Sequence, residues 1–124
     1  MNKFIKTVTE DRVCYEFMNS LNGIIGLTER ELQIFSVLLS MRLQDIKTKN
    51  PRLSIDRAEN RKRIINEYRI GKENLSRYIK KYRKKGLIYT TKYGNNVIMD
   101  ALLPQIVGGK TVQVTMILKI NQDD

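Results

Sequence analysis

RKRIINEYRIGKENLSRYIKKYRKKG, residues 61–86, is the stretch on which the reading of this chain turns. At about 100° per residue, Leu75, Tyr78, Ile79 and Tyr82 fall on one side of a helix, with Glu73, Arg77, Lys80 and Lys84 opposite. One side packs and the other is free to touch something. The helix opens after Gly71 and closes at Gly86, because glycine takes the left-handed conformation that a helix C-cap wants. Arg83, Lys84 and Lys85 stand against the negative end of the helix dipole. Upstream, Ile64, Ile65, Tyr68 and Ile70 supply apolar positions against which Leu75 and Ile79 pack across the turn Arg69-Ile70-Gly71. The pattern predicts helix, turn, helix.

Beyond Gly86 the period shortens. Leu87–Thr91 and Val97–Met99 read as strands, separated by Lys92-Tyr-Gly-Asn-Asn96, whose Gly94 and two asparagines suit a hairpin tip. The tail continues with Ile106-Val107, a Gly108-Gly109 turn and a long alternating strand over Thr111–Ile120 that requires a partner. Upstream, Thr28-Glu29-Arg30-Glu31 is a capping-box pattern, and the helix it starts runs to about Ile46. Its apolar residues make two stripes. Leu32, Phe35, Leu39, Leu43 and Ile46 form one, and Ile34, Val37, Leu38 and Met41 the other, so the helix is buried on two sides. One side packs under the basic pair; the other needs the N-terminal segment or a second copy of the chain.

Between these parts, residues 47–53 contain a proline and three cations and read as a surface loop, after which Asp56 to Glu59 offers a cap for the next helix, with Asn60 as an alternative start. Arg57, Arg61, Lys62 and Arg63 then oppose the dipole of that helix, a cost easier to understand with phosphates nearby. Residues 1–26 are less legible. Phe4–Val8 reads as a strand. Thr9-Glu10-Asp11 suits the start of a helix bearing Val13, Cys14, Phe17, Met18 and Leu21, while the alternation of Val13, Tyr15 and Phe17 also permits a hairpin; Asn22-Gly23 as a stop favours the helix.

With 124 residues the chain is long enough for one domain with a real core and too short for two. Its charge of +10 is local: Lys47–Lys85 carries 15 Lys/Arg against 4 Asp/Glu, a net +11, which leaves −1 for all the rest. A local excess lying over the helix pair is the footprint of a polyanion partner. There is no histidine and one cysteine, Cys14, which argues against zinc, imidazole catalysis and disulfides. No metal or cofactor is expected, and Cys14 reads as a small core residue. The N-terminus lacks a signal-peptide apolar region and no apolar run approaches the roughly 20 residues of a membrane span, so no membrane role and a cytoplasmic location are expected.

Ile70 through Ile88, with Gly86-Leu-Ile closing the second helix, resembles the winged helix-turn-helix regulators of the MarR type and related phage and plasmid DNA-binding proteins. The resemblance spans about residues 27–99. It implies an α+β, mainly helical fold: about four helices, a β-hairpin wing and an extra C-terminal strand, with an extension over 1–26, a recognition helix over 72–85, a wing over 87–99 and a β-rich tail over 100–124. In that family the exposed positions of the first two turns touch bases, which maps here onto Lys72, Glu73, Asn74, Ser76 and Arg77, with Lys80 and Lys81 next along.

The reading that follows is a non-enzymatic, sequence-specific protein of double-stranded DNA, a transcriptional regulator acting as a homodimer. Glu73, Asn74, Ser76 and Arg77 are the expected base readers, since Asn suits adenine, Arg suits guanine and Glu accepts from cytosine. Arg61, Lys62, Lys72, Lys80, Lys81, Lys84 and Lys85 are the expected phosphate contacts, and Lys92, Asn95 and Asn96 those of the wing. The alternatives are a phage assembly or packaging protein with protein partners in the particle, and a replication initiator. RNA is disfavoured because Tyr78 and Tyr82 lie on the packed side and form no stacking platform. Asp56 and Glu59 stand at cap spacing, which explains them without catalysis.

Overall fold

A computed structural model describes residues 5–49, 54–104, 106–107, 111–114 and 117–121. The described chain is α+β and mainly helical: α1 (Val13–Ile25), α2 (Glu29–Lys47), α3 (Ala58–Tyr68), α4 (Lys72–Lys84), then β1 (Ile88–Thr90), β2 (Asn96–Ile98), β3 (Ile106–Val107) and β4 (Thr111–Val112). Short 3-10 turns at Glu10–Arg12 and Asp100–Leu102 precede α1 and follow β2.

The N-terminal segment forms the helix and not the hairpin. Residues 5–8 are exposed and carry no strand, and Thr9 makes no side-chain cap. The helix also runs through the expected stop at Asn22-Gly23 and ends at Gly26, in the left-handed conformation at φ +75°. Asn22 still marks the end, but through its side chain: its amide accepts from Leu27 N–H at 2.8 Å and donates to Leu27 C=O at 2.9 Å. Gly23 leaves a helix uninterrupted at modest cost, so the stop falls where a side chain can lock the next turn.

α2 begins with the capping box as expected. Glu31 N–H donates to Thr28 Oγ1 at 3.3 Å, and Thr28 N–H to Glu31 Oε1 at 2.7 Å. Both stripes are covered within one chain. Leu32, Phe35 and Leu39 of the first and Ile34, Leu38 and Met41 of the second are buried, while Ile46, at the far end, is 45% exposed. α1 packs along α2 with Cys14, Phe17 and Met18 turned inward. The girth of α2 therefore needs no second copy of the chain, and that argument for a dimer falls away.

α3 starts at Ala58, with Arg57 at the N-cap position and no side-chain cap. Asp56 is not the cap because its oxygens are engaged elsewhere, accepting from Ser54 Oγ at 2.7 Å and Asn96 Nδ2 at 2.8 Å. Nor does Arg57 await a phosphate. Its guanidinium donates twice to Asp45 of α2, at 2.8 and 3.1 Å, and to Glu59 at 2.7 Å. The charge that seemed to oppose the dipole is neutralised inside the fold and pins the start of α3 to α2.

Arg69 makes the turn into α4 by adopting φ +51°, a region that non-glycine residues visit at a cost. Ile64, Ile70, Leu75 and Ile79 are buried across that turn. α4 closes with a full Schellman arrangement: Gly86 at φ +78° donates to Arg83 C=O at 3.0 Å, and Leu87 N–H to Tyr82 C=O at 2.9 Å. Each of the fully buried side chains, among them Tyr82, Phe35, Met18 and Leu75, contributes about 1.5–3 kcal/mol from its removal from water.

β1 and β2 pair antiparallel in the register Ile88↔Ile98, Tyr89↔Val97, Thr90↔Asn96. Gly94, at φ +84°, turns the tip as expected. Ile55 N–H donates to Asn96 C=O at 2.9 Å, so the chain entering α3 lies along the outer edge of β2. β3 and β4 pair as Ile106↔Val112 and Val107↔Thr111; the expected Gly108-Gly109 turn and most of the 47–53 loop lie outside the described residues. The long strand expected over Thr111–Ile120 is not seen in its described residues: among these only Thr111–Val112 pair, and Val114, Ile117, Leu118 and Ile120 are exposed. Alternation alone does not make a strand, whose backbone needs a ladder to bond to.

Nothing lies within 4 Å of the position a Cβ would take at Gly86, so substitution there tests conformation without a clash. Gly86→Ala is expected to lower stability by about 1–2 kcal/mol, the cost of a left-handed residue with a side chain, measured as a shift in urea midpoint with unchanged slope.

Candidate nucleic-acid interface

The geometry of the basic surface follows from how α4 is seated. Its inner side presents Leu75, Ile79 and Tyr82 to the core. Tyr82 O–H donates to the Glu31 carbonyl of α2 at 2.6 Å, and its ring meets Phe35 edge-on, with centroids 5.0 Å apart. Tyr78 is half-buried and stacks beside it. Burial, followed by the nearby Glu31 carboxylate, drives the Tyr82 phenol well above its ordinary range. With the aromatic side of α4 fixed inward, its opposite side is left to solvent.

On that outer side Lys72, Glu73, Asn74, Arg77, Lys80 and Lys84 are exposed, and none has a side-chain hydrogen bond or ion pair with another described residue. Lys62 of α3 extends the same surface, and a shallow cleft of about 300 Å³ between the two helices is lined by Ala58, Arg61, Lys62, Ile65, Asn66 and Lys72. At the hairpin tip Lys92 is exposed and lies 5.2 Å from the centre of the Tyr93 ring.

Most of the remaining expected contacts have work inside the molecule. Lys81, one residue and 100° from Lys80, pairs with the Glu31 carboxylate. Lys85 donates to the carbonyls of Ile25 and Gly26 at 3.0 and 3.3 Å, satisfying the end of α1. Ser76 accepts from Arg61 at 2.7 Å, and Arg61 also reaches Lys72 C=O at 3.5 Å and lies 3.9 Å from Asp56. Asn96 accepts from Thr90 Oγ1 at 2.8 Å and donates to Asp56. Asn95 is half-buried, and its N–H donates to Thr91 Oγ1 at 3.2 Å.

Two residues not named among the expected contacts belong to this surface. Tyr93 at the hairpin tip is 80% exposed; an aromatic beside a turn glycine was its only signal. Arg83 donates to Thr90 Oγ1 at 3.3 Å and joins α4 to β1, which no local pattern announces.

The chemistry of this surface is ionic and hydrogen-bonding. Glu31 is its buried counterweight: burial by itself would raise the carboxyl, but the bonds from Lys81 and Thr28 and the Lys81 charge hold it below the ordinary carboxylate range. Cys14, in α1, is pushed up to about 11 by burial, partly offset by Ser40, as suits an inert core thiol. Among the described residues no group of acidic or cysteine side chains is placed to hold a metal, and no helix is long and apolar enough to cross a membrane. A comparison with known families, curated proteins and solved structures matches none of them to this chain.

Neighbouring lysines on α4 are expected to behave differently. Lys81→Ala removes a partner from a buried carboxylate and should cost about 1–3 kcal/mol, whereas Lys80→Ala should stay within about 0.5 kcal/mol of the parent. Because Glu31 titrates lower folded than unfolded, its contribution is complete above the ordinary carboxylate pKa and is lost as pH falls through the folded value. Glu31→Gln should therefore flatten the acid limb of stability against pH, read by urea titration; an unchanged limb means that Glu31 is not held as a charged group.

Proposed function

We propose that this chain binds double-stranded DNA in a sequence-dependent manner and catalyses no reaction, with α4 entering the major groove and the β1–β2 tip reaching the adjacent backbone or minor groove. One observation carries the reading. Within α3, α4 and the residue before them, some cations are spent inside the fold, such as Arg57 on Asp45 and Lys81 on Glu31, while Lys62, Lys72, Arg77, Lys80 and Lys84 are exposed without a counterion among the described residues. A cluster of unneutralised like charges costs self-repulsion, which a polyanion relieves.

The reading assigns base contacts to Glu73, Asn74 and Arg77, which occupy the first two turns of α4. Ser76 leaves that group because its hydroxyl holds Arg61. Phosphate contacts fall to Lys62, Lys72, Lys80 and Lys84, with Lys92 at the tip. A role in transcription is the use that such a reader serves most directly. A homodimer, with two copies of α4 about 34–36 Å apart on one face of the duplex, remains part of the proposal, supported by the exposed Val114, Ile117, Leu118 and Ile120.

Selection of bound duplexes from a random library at physiological salt tests the proposal and supplies the preferred site. On that site Arg77→Ala should lose about 1–3 kcal/mol and on random duplex little, while Lys84→Ala, two turns further along, should weaken both alike. With ~4–6 phosphates engaged, log K should fall against log salt with a slope of about −0.9 per contact. A library that yields no preferred site, with equal losses from both variants, would indicate a helix that holds DNA without reading it and would favour particle assembly. Binding insensitive to salt would remove nucleic acid altogether.

A further inference from the structure

The polar side chains flanking the basic surface form a closed circuit that begins and ends on α4. Arg83 of α4 donates to Thr90 of β1 at 3.3 Å, and Thr90 to Asn96 of β2 at 2.8 Å. Asn96 donates to Asp56 at 2.8 Å, Asp56 lies 3.9 Å from Arg61 of α3, and Arg61 returns to Ser76 of α4 at 2.7 Å. Asp56 is the only acid in this circuit. Its second oxygen accepts from Ser54 Oγ at 2.7 Å, and Ser54 Oγ in turn accepts from Asn96 N–H at 3.1 Å.

Among the described residues the hairpin has little else to fix its direction. It is two strands of three residues each, too short to be rigid alone. Ile88 and Ile98 at its base are buried, but Tyr89, Lys92 and Tyr93 toward the tip are exposed. Its lateral support is the Ile55 N–H to Asn96 C=O bond and the group around Asp56. A carboxylate suits this junction, since it accepts from the hairpin amide on one side and faces the α3 guanidinium on the other.

We infer that Asp56 is a positioning residue: without touching nucleic acid, it holds the β1–β2 tip and Arg61 at fixed places relative to α4, so that tip and helix meet one duplex as a unit. The use of that rigidity rests on the DNA-binding reading above; the rigidity itself does not. Arg61, Ser76 and Asn96 then serve to hold one another, and Lys92 contributes to binding only while the circuit is closed.

Two measurements on the full chain separate these statements. In the free protein, Asp56→Ala should speed hydrogen exchange at the Ile55, Thr91 and Asn96 amides by about 10-fold or more while leaving those of Ile79 and Tyr82 in α4 unchanged, because the hairpin opens locally without global unfolding. Unchanged exchange at the hairpin amides overturns the positioning role. On the selected duplex, Lys92→Ala should weaken binding roughly 3–10-fold in the parent and less than about 2-fold when Asp56 is already Ala, a non-additive pair. Full additivity means that Asp56 acts only through overall stability, and overturns the inference. If Asp56→Ala does not fold, Asp56→Asn keeps the volume but turns amide donors toward Arg61 and the Asn96 amide, and is held to the same outcomes. Failure of the parent to bind any duplex refutes the DNA reading and the unit's use, while the exchange result still decides the circuit.

Discussion

A carboxylate buried at the start of one helix holds the basic helix in place. Glu31 takes the N–H of Thr28 and the ammonium of Lys81 on its side chain, while its own carbonyl takes the Tyr82 hydroxyl. An ionised group out of water is tolerable only with such partners. Their consequence is geometric. Two consecutive residues of α4 are tied to the first turn of α2, which fixes the rotation of α4 about its own axis. Once Lys81 and Tyr82 face inward, Arg77, Lys80 and Lys84 face out.

This constraint sorts a run of charge that looks uniform. Residues 80–85 contain five cations around one tyrosine, yet Lys81 neutralises an acid, Arg83 joins the hairpin, Lys85 finishes α1 and only Lys80 and Lys84 stand clear of the fold. The same sorting runs through the start of α3, where Arg57 is consumed by Asp45 and Glu59 and Lys62 is not. What distinguishes a surface able to meet a polyanion is the subset of charge the fold does not use. Within α3 and α4 that subset is Lys62, Lys72, Arg77, Lys80 and Lys84.

The tail shows the opposite relation between pattern and structure. Thr111–Ile120 alternates as regularly as any strand, but among its described residues only Thr111–Val112 form one, and Ile117, Leu118 and Ile120 lie open to solvent. α2, by contrast, seemed too apolar for one small chain, yet α1 packs along it, Phe35 meets Tyr82 of α4, and its buried residues share one core with Ile64, Leu75 and Ile79. Apolar periodicity tells which side of an element prefers to be covered; the supply of a covering surface is a property of the whole chain.

The elements that local chemistry controls were legible in residue order alone: the capping box at Thr28 and Glu31, the left-handed stop at Gly86, the inward side Leu75, Ile79 and Tyr82, and the hairpin turned at Gly94. Each depends on groups within about four residues of one another, and such spacings can be read from the sequence. Which polar side chain would be available was not legible. Tyr82 meets a carbonyl 51 residues away and Asn96 a carboxylate 40 away, so Ser76, Lys81, Lys85 and Asn96 looked as free as Arg77 and Lys80. Only the tertiary structure separated them, because a hydrogen bond takes its partner from whatever the folded chain brings within 3 Å or so, and no periodicity along the chain records that distance.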